Sequence, residues 1–108
     1  MSVRSVVIAD LGLGNLRSVA RAVERAGGEA TLSADPDALL RAERIIVPGQ
    51  GAFRDCGLAL ARGFAPALRE VIARGTPYLG LCLGMQLLFE SSEEAPGLAG
   101  LGHFKGRV

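Results

Sequence analysis

The stretch Gly80-Leu81-Cys82-Leu83-Gly84 carries the strongest chemical signal in this sequence. A cysteine with glycine two residues away on either side, between an apolar run and a helical pattern, is the thiol version of a nucleophile elbow. Such a turn is so tight that the positions two residues away must be small, and glycine meets that need at both. The thiol then stands at the N-terminus of the following helix, where unpaired N–H groups and the helix dipole favour thiolate. The N–H of Leu83 points to where an oxyanion would form. The residues alone leave a second reading open, a structural cysteine buried in a glycine-rich turn.

Two further glycine loops could contribute. Pro48-Gly49-Gln50-Gly51 offers free backbone N–H groups that could form the other half of an oxyanion hole, or be a plain turn. Gly12-Leu13-Gly14 looks like the start of a dinucleotide fingerprint, but Arg17 stands where the third glycine belongs and no acidic residue ends a convincing second strand. A tight turn packing strand against helix is the favoured reading there. Cys56 has no Cys or His at ligand spacing and reads as an ordinary small residue in a loop. Glu90, Glu93, Glu94 and His103 are too irregularly spaced for a metal site and read as a solvated acidic loop; no metal and no cofactor is expected.

The elements that must position these loops alternate strand and helix. Ser5–Ala9 is apolar on both faces, which suits a strand between two helix layers. Asn15 is placed to cap a helix whose apolar positions are Leu16, Val19, Ala20, Val23 and Ala26, ending at Gly27-Gly28. Ala30–Ser33 is a weak second strand. Asp35-Pro36 opens a short helix. Arg44–Val47 is a third strand, stopped by Pro48-Gly49. Gly51–Gly57 reads as a loop and Leu58–Arg62 as a helical turn that Gly63 interrupts. Pro66 opens a helix with Leu68, Val71 and Ile72 on its buried face. Tyr78–Leu81 is a fourth strand and Leu83–Glu90 the helix after it. Ser91–Gly102 reads as loop, and Gly106–Val108 as the beginning of another strand. This alternation predicts an α/β fold with a parallel sheet and right-handed crossovers, its ligands bound beyond the carboxyl ends of the strands.

Composition narrows the function classes. The 108 residues make one domain at most, 49% of them are hydrophobic and the net charge is +1, which argues against disorder. Lys+Arg 12 nearly cancel Asp+Glu 11, so a nucleic-acid partner is not suggested. Two cysteines make neither a disulfide framework nor a four-ligand zinc site. No apolar run approaches the roughly 18 residues of a membrane span, and the start turns acidic too soon for a signal peptide. A cytoplasmic protein with reduced thiols is expected.

At this point the residues carry a resemblance. The segment Gly80-Leu81-Cys82-Leu83-Gly84-Met85-Gln86-Leu87-Leu88-Phe89-Glu90-Ser91-Ser92-Glu93-Glu94 resembles the nucleophile segment of class I glutamine amidotransferases. Gly12-x-Gly14-Asn15-Leu16-Arg17-Ser18-Val19, Pro48-Gly49-x-Gly51-Ala52-Phe53 and Met85–Ser91 are most similar to the glutaminase subunits of imidazole glycerol phosphate synthase. The resemblance runs in order along essentially the whole chain. It implies a mostly parallel, flavodoxin-like doubly wound sheet. It implies Cys82 as the nucleophile that attacks the side-chain amide of glutamine, with hydrolysis of a glutamyl thioester and release of ammonia. Leu83 and the Gly49–Gln50–Gly51 segment would give backbone donors to the oxyanion, and Gln86 and Glu94 would hold the amino-acid end of glutamine. Asn15 would lie in a loop facing the partner, a cyclase subunit built as a β/α barrel, which takes up the ammonia in a step of histidine biosynthesis.

The sequence departs from that pattern in two places. Gln50 stands where many members carry an apolar residue between the glycines, which should alter how the loop flips more than its backbone chemistry. The family domain is also about twice as long, with a His-Pro-Glu motif near its far end that does not occur here. The catalytic base is not transferred to His103. Residues 1–108 thus read as the N-terminal half of such a domain, its sheet incomplete, with no turnover expected from this chain alone and with self-association through the open edge. Two alternatives stay open: a non-catalytic flavodoxin-like module that keeps the cysteine, and another amidotransferase or cysteine hydrolase of the same class.

Overall fold

The computed structural model describes residues 4–108. Four strands, β1 (Arg4–Ala9), β2 (Gly28–Ser33), β3 (Ile45–Gly49) and β4 (Tyr78–Cys82), form one sheet in the order β2-β1-β3-β4. Every pairing is parallel. The order reverses between β1 and β3, so the switch point of the sheet lies at their carboxyl ends.

The helices follow from that order. α1 (Leu16–Arg25) joins β1 to β2, and α2 (Pro36–Leu40) returns across β1 to β3. With right-handed crossovers, opposite directions of travel put these two helices on opposite faces. α3 (Phe53–Ala59) and α4 (Ala65–Ala73) continue in the direction of α2 and share its face, before α5 (Leu83–Gln86) leaves β4. The main core lies on that face. Leu39, Ile45, Val47, Phe53, Cys56, Leu60, Phe64, Leu68, Val71, Leu83 and Leu87 close it. On the other face α1 packs chiefly on β2. It leaves a trough of about 440 Å³ lined by Val19, Ala22, Ile46, Leu79 and Leu81. Leu79 and Leu81 are 53% and 36% exposed there.

Local chemistry explains the bounds. Asn15 caps α1, its Oδ1 accepting from the Ser18 N–H at 3.3 Å, and Asp35 caps α2, accepting from the Asp37 N–H at 3.0 Å. Arg62 and Gly63 leave helical conformation between α3 and α4, with Gly63 at φ 104°. The Arg62 guanidinium donates to the Leu11 carbonyl at 3.3 Å and so ties that kink to the loop after β1.

Four expectations about local structure need correction. β3 runs through Pro48 to Gly49 instead of stopping before them. The Ile45 N–H points at β4, bonding Pro77 O. Alternation therefore turns the Pro48 nitrogen toward β1, whose rungs with β3 end at Ile8↔Ile46. A missing N–H breaks no ladder bond there. The segment read as a loop up to Gly57 is helical from Phe53, because Asp55 Oδ2 accepts the Ala52 N–H at 3.2 Å and stands in for a cap that alanine cannot supply. Gly57 sits within the helix because Leu98 packs where its Cβ would be, at 3.3 Å. α5 ends at Gln86, four residues short of expectation. The carbonyls of Leu87, Leu88 and Phe89 are taken instead by the N–H groups of Leu101, Phe104 and Gly102. The C-terminal stretch forms no strand of its own; Arg107 makes a single bridge to Ser91.

Candidate active site

Cys82 ends β4 with φ 54° and ψ −113° and is the one non-glycine residue of positive φ among the described residues. Such a conformation costs about 1–3 kcal/mol and persists only where the surroundings impose it. They do so through glycines. A Cβ on Gly84 would collide with the Val47 carbonyl, and one on Gly80 would come within 2.5 Å of the Gly84 carbonyl oxygen. α5 therefore seats directly on β3 and folds back along β4, leaving Cys82 exposed at the bend. The first-turn N–H groups of α5, beginning with Leu83, have no partner within the helix.

Gly49 pairs with Cys82 across the β3–β4 ladder, and a Cβ on Gly49 would stand 3.0 Å from the Cβ of Leu83. Gln50 reaches the loop after β1, where a Cβ on Gly14 would lie 3.3 Å from its Cγ. Cys82, Gly49, Gln50, Gly14 and Asn15 thus line one hollow of about 180 Å³ at the carboxyl ends of the strands, beside the switch point. Gly51, at φ 118°, turns the chain toward Asp55. Glu94 comes to the same loop from the far end of the chain, its Oε1 accepting the Phe53 N–H at 3.3 Å. Gln86, at the end of α5, does not line the hollow; its Oε1 is buried with no hydrogen-bond partner among the described residues. Asn15 spends its side-chain oxygen on capping α1.

The remaining candidates are engaged elsewhere. The Gly106 N–H donates to Glu90 Oε1 at 2.6 Å, and Glu93 pairs with Arg107 at 3.4 Å. His103 lines a separate hollow with Arg69, Ile72, Ala73 and Leu101, its ring 4.8 Å from that of Phe104. Cys56 is a helical core residue, not a loop residue. Burial first, then the charges of Asp55 and Glu94, push its thiol up to about 11.

Sequence reasoning missed Tyr78, read only as the start of a strand. Its hydroxyl donates to the Gly84 carbonyl at 2.7 Å. Burial, then the neighbouring Cys56, raises its pKa well above the ordinary tyrosine value, so it remains a donor. The available signal was its type, since a tyrosine inside an apolar strand needs a partner for its O–H.

A family model described as "Glutamine amidotransferase class-I" matches residues 7–100. The chain belongs to the class-I glutamine amidotransferase family. Among curated members it is 54% identical over 101 residues to the protein from Natronomonas pharaonis named imidazole glycerol phosphate synthase subunit HisH, covering 94% of this chain and 46% of that one. It is 47% identical over 105 residues to the Geobacter metallireducens protein of the same name, covering 96% and 50%. A solved glutamine amidotransferase crystal structure superposes with a TM-score of 0.76 at 26% identity, covering 90% of this chain and 51% of that one. The chain spans about half the length of the class-I glutamine amidotransferases it matches.

Proposed function

We propose that this chain carries the nucleophile of a glutaminase. The backbone of Cys82 is the observation that supports this best: a strained, exposed cysteine at the switch-point end of a parallel sheet, with Gly49 beside it and the first turn of α5 directly after it. In this reading the Cys82 thiolate adds to the side-chain amide carbon of glutamine. Leu83 N–H and the Gly49–Gln50–Gly51 backbone donate to the oxyanion, once that segment turns its Gly49 N–H out of the β3–β4 ladder. Collapse of the adduct expels the nitrogen, which leaves as ammonia on taking a proton. Water then cleaves the thioester to glutamate and frees the thiol. The unpartnered Gln86 oxygen and the Glu94 carboxylate supply an acceptor and a negative charge suited to the α-ammonium of glutamine. Both groups must first turn toward the substrate.

The names of the curated relatives support a partner that consumes the ammonia, the cyclase subunit of imidazole glycerol phosphate synthase in histidine biosynthesis. We place its docking face, a β/α barrel surface, against the loop bearing Asn15, and the reaction in the cytoplasm, where both thiols stay reduced. We read residues 1–108 as the N-terminal half of the family domain. Its 108 residues contain one histidine, and His103 lies in the hollow beside α4, so general base and orienting acid belong to the other half. In residues 1–108 by themselves, the β4 edge and the Leu79–Leu81 trough favour self-association.

Covalent capture tests the reading. A diazoketone analogue of glutamine is expected to add to Cys82, to be competed by L-glutamine, and to leave Cys56 unmodified when the chain is mapped by mass spectrometry. Adduct on Cys56, or labelling that glutamine does not slow, would overturn it.

A further inference from the structure

We propose that Tyr78 is a positioning residue for acyl transfer at Cys82: its half-buried hydroxyl pins the first turn of α5 and thereby fixes the Leu83 N–H where an oxyanion develops. The proposal rests on Cys82 being the nucleophile.

In α5 the Leu87 N–H donates to Leu83 O, in α-helical spacing. The next two N–H groups, of Leu88 and Phe89, donate to Met85 O and Gln86 O, one residue closer. This tightening skips Gly84, whose carbonyl is left without a helical donor. Gly84 is buried, with its Cα against the Val47 carbonyl and its own carbonyl over the Cα of Gly80, so water is a poor substitute. Tyr78 and Gly80 alternate onto the same face of β4, and the tyrosine hydroxyl reaches the orphaned oxygen at 2.7 Å. A helix of four residues has little internal hydrogen bonding to hold its shape. Glycines exclude other positions from below, while Tyr78 supplies an attractive contact that sets orientation. The Leu83 N–H lies two peptide planes upstream of that anchored carbonyl. Oxyanion donors act only at about 2.7–3.1 Å, so a small rotation of this turn should tell on the transition state more than on the ground state.

Two reagents separate these effects. p-Nitrophenyl acetate requires the thiolate to add to a carbonyl carbon, forming an oxyanion that collapses with loss of p-nitrophenolate. Iodoacetamide is attacked at a saturated carbon: the C–S bond forms as the C–I bond breaks and iodide leaves, with no oxyanion. In the full 108-residue chain, Tyr78→Phe is expected to slow acetylation of Cys82 about ten-fold while alkylation stays within about two-fold. Equal slowing of both, or no change in either, would overturn the positioning role. Tyr78 is the single tyrosine of the chain, so biosynthetic 3,5-difluorotyrosine alters this hydroxyl alone and makes it a stronger donor. A changed ratio of acetylation to alkylation in that protein supports the proposal even where Tyr78→Phe does not fold; an unchanged ratio counts against it. A Cys82→Ser control that still releases p-nitrophenolate at the parent rate shows that the nucleophile reading, and not the tyrosine, has failed.

Discussion

The two thiols of this chain meet opposite surroundings. Cys82 is exposed at a strained bend, while Cys56 sits in the core beside Asp55 and Glu94. Limiting iodoacetamide followed by peptide mapping should modify Cys82 at least about ten-fold faster; preferential labelling of Cys56 would contradict that. The buried thiol also predicts a pH dependence. Its folded pKa, about 11, lies above the ordinary thiol value of 9.0. Between those two values the unfolded chain has released a proton that the folded chain still holds. Stability is therefore fully present below pH 9 and falls as pH rises toward about 11. Tyr78 is raised in the same sense and extends the loss to higher pH. Thermal melts from pH 8 to 11 should show a falling midpoint, and Cys56→Ala, less stable at neutral pH, should flatten that alkaline limb.

At the scale of elements, α5 is held by what its glycines lack. Gly84→Ala puts a methyl group into the Val47 carbonyl and should cost about 3 kcal/mol or prevent folding, read by urea unfolding. Gly27→Ala meets nothing within 4 Å and bears only the strain of φ 94°, so it should cost about 1 kcal/mol. Equal costs would mean that backbone conformation, not the seat on β3, decides the effect. This seat also marks what could be read from residues alone. The glycine pair around Cys82 and the strand–helix alternation were legible because they depend on neighbours in sequence. The length of α5 was not, because carbonyls that would have continued it are claimed by N–H groups of Leu101, Gly102 and Phe104. Nor was the start of α3, where Asp55 closes the turn that Ala52 cannot. Glu94 and the loop of Gly49–Gly51 could be joined only by resemblance, since the Phe53–Glu94 bond spans most of the second half of the chain.

Across the whole molecule, helices α2 to α5 crowd one face of the sheet, while α1 leaves Leu79 and Leu81 uncovered on the other. Light scattering coupled to size-exclusion chromatography should therefore report an average mass above 11.2 kDa that rises with concentration, and Leu79→Glu should lower it. A species of that mass at every concentration would show that the trough does not drive association. The all-parallel ladder also bears on the order of folding. No strand here can pair with a hairpin partner; Val7 waits for Ile45, and Ile45 for Tyr78. Such non-local pairings close slowly, after local helices have formed. β4 adds to β3 as the last strand in the chain, and only then can Gly84 dock and Cys82 take up its bend. During refolding, rapid acetylation of the thiol should return after the helical signal, so a newly made chain should stay slow toward acyl donors until β4 has joined β3.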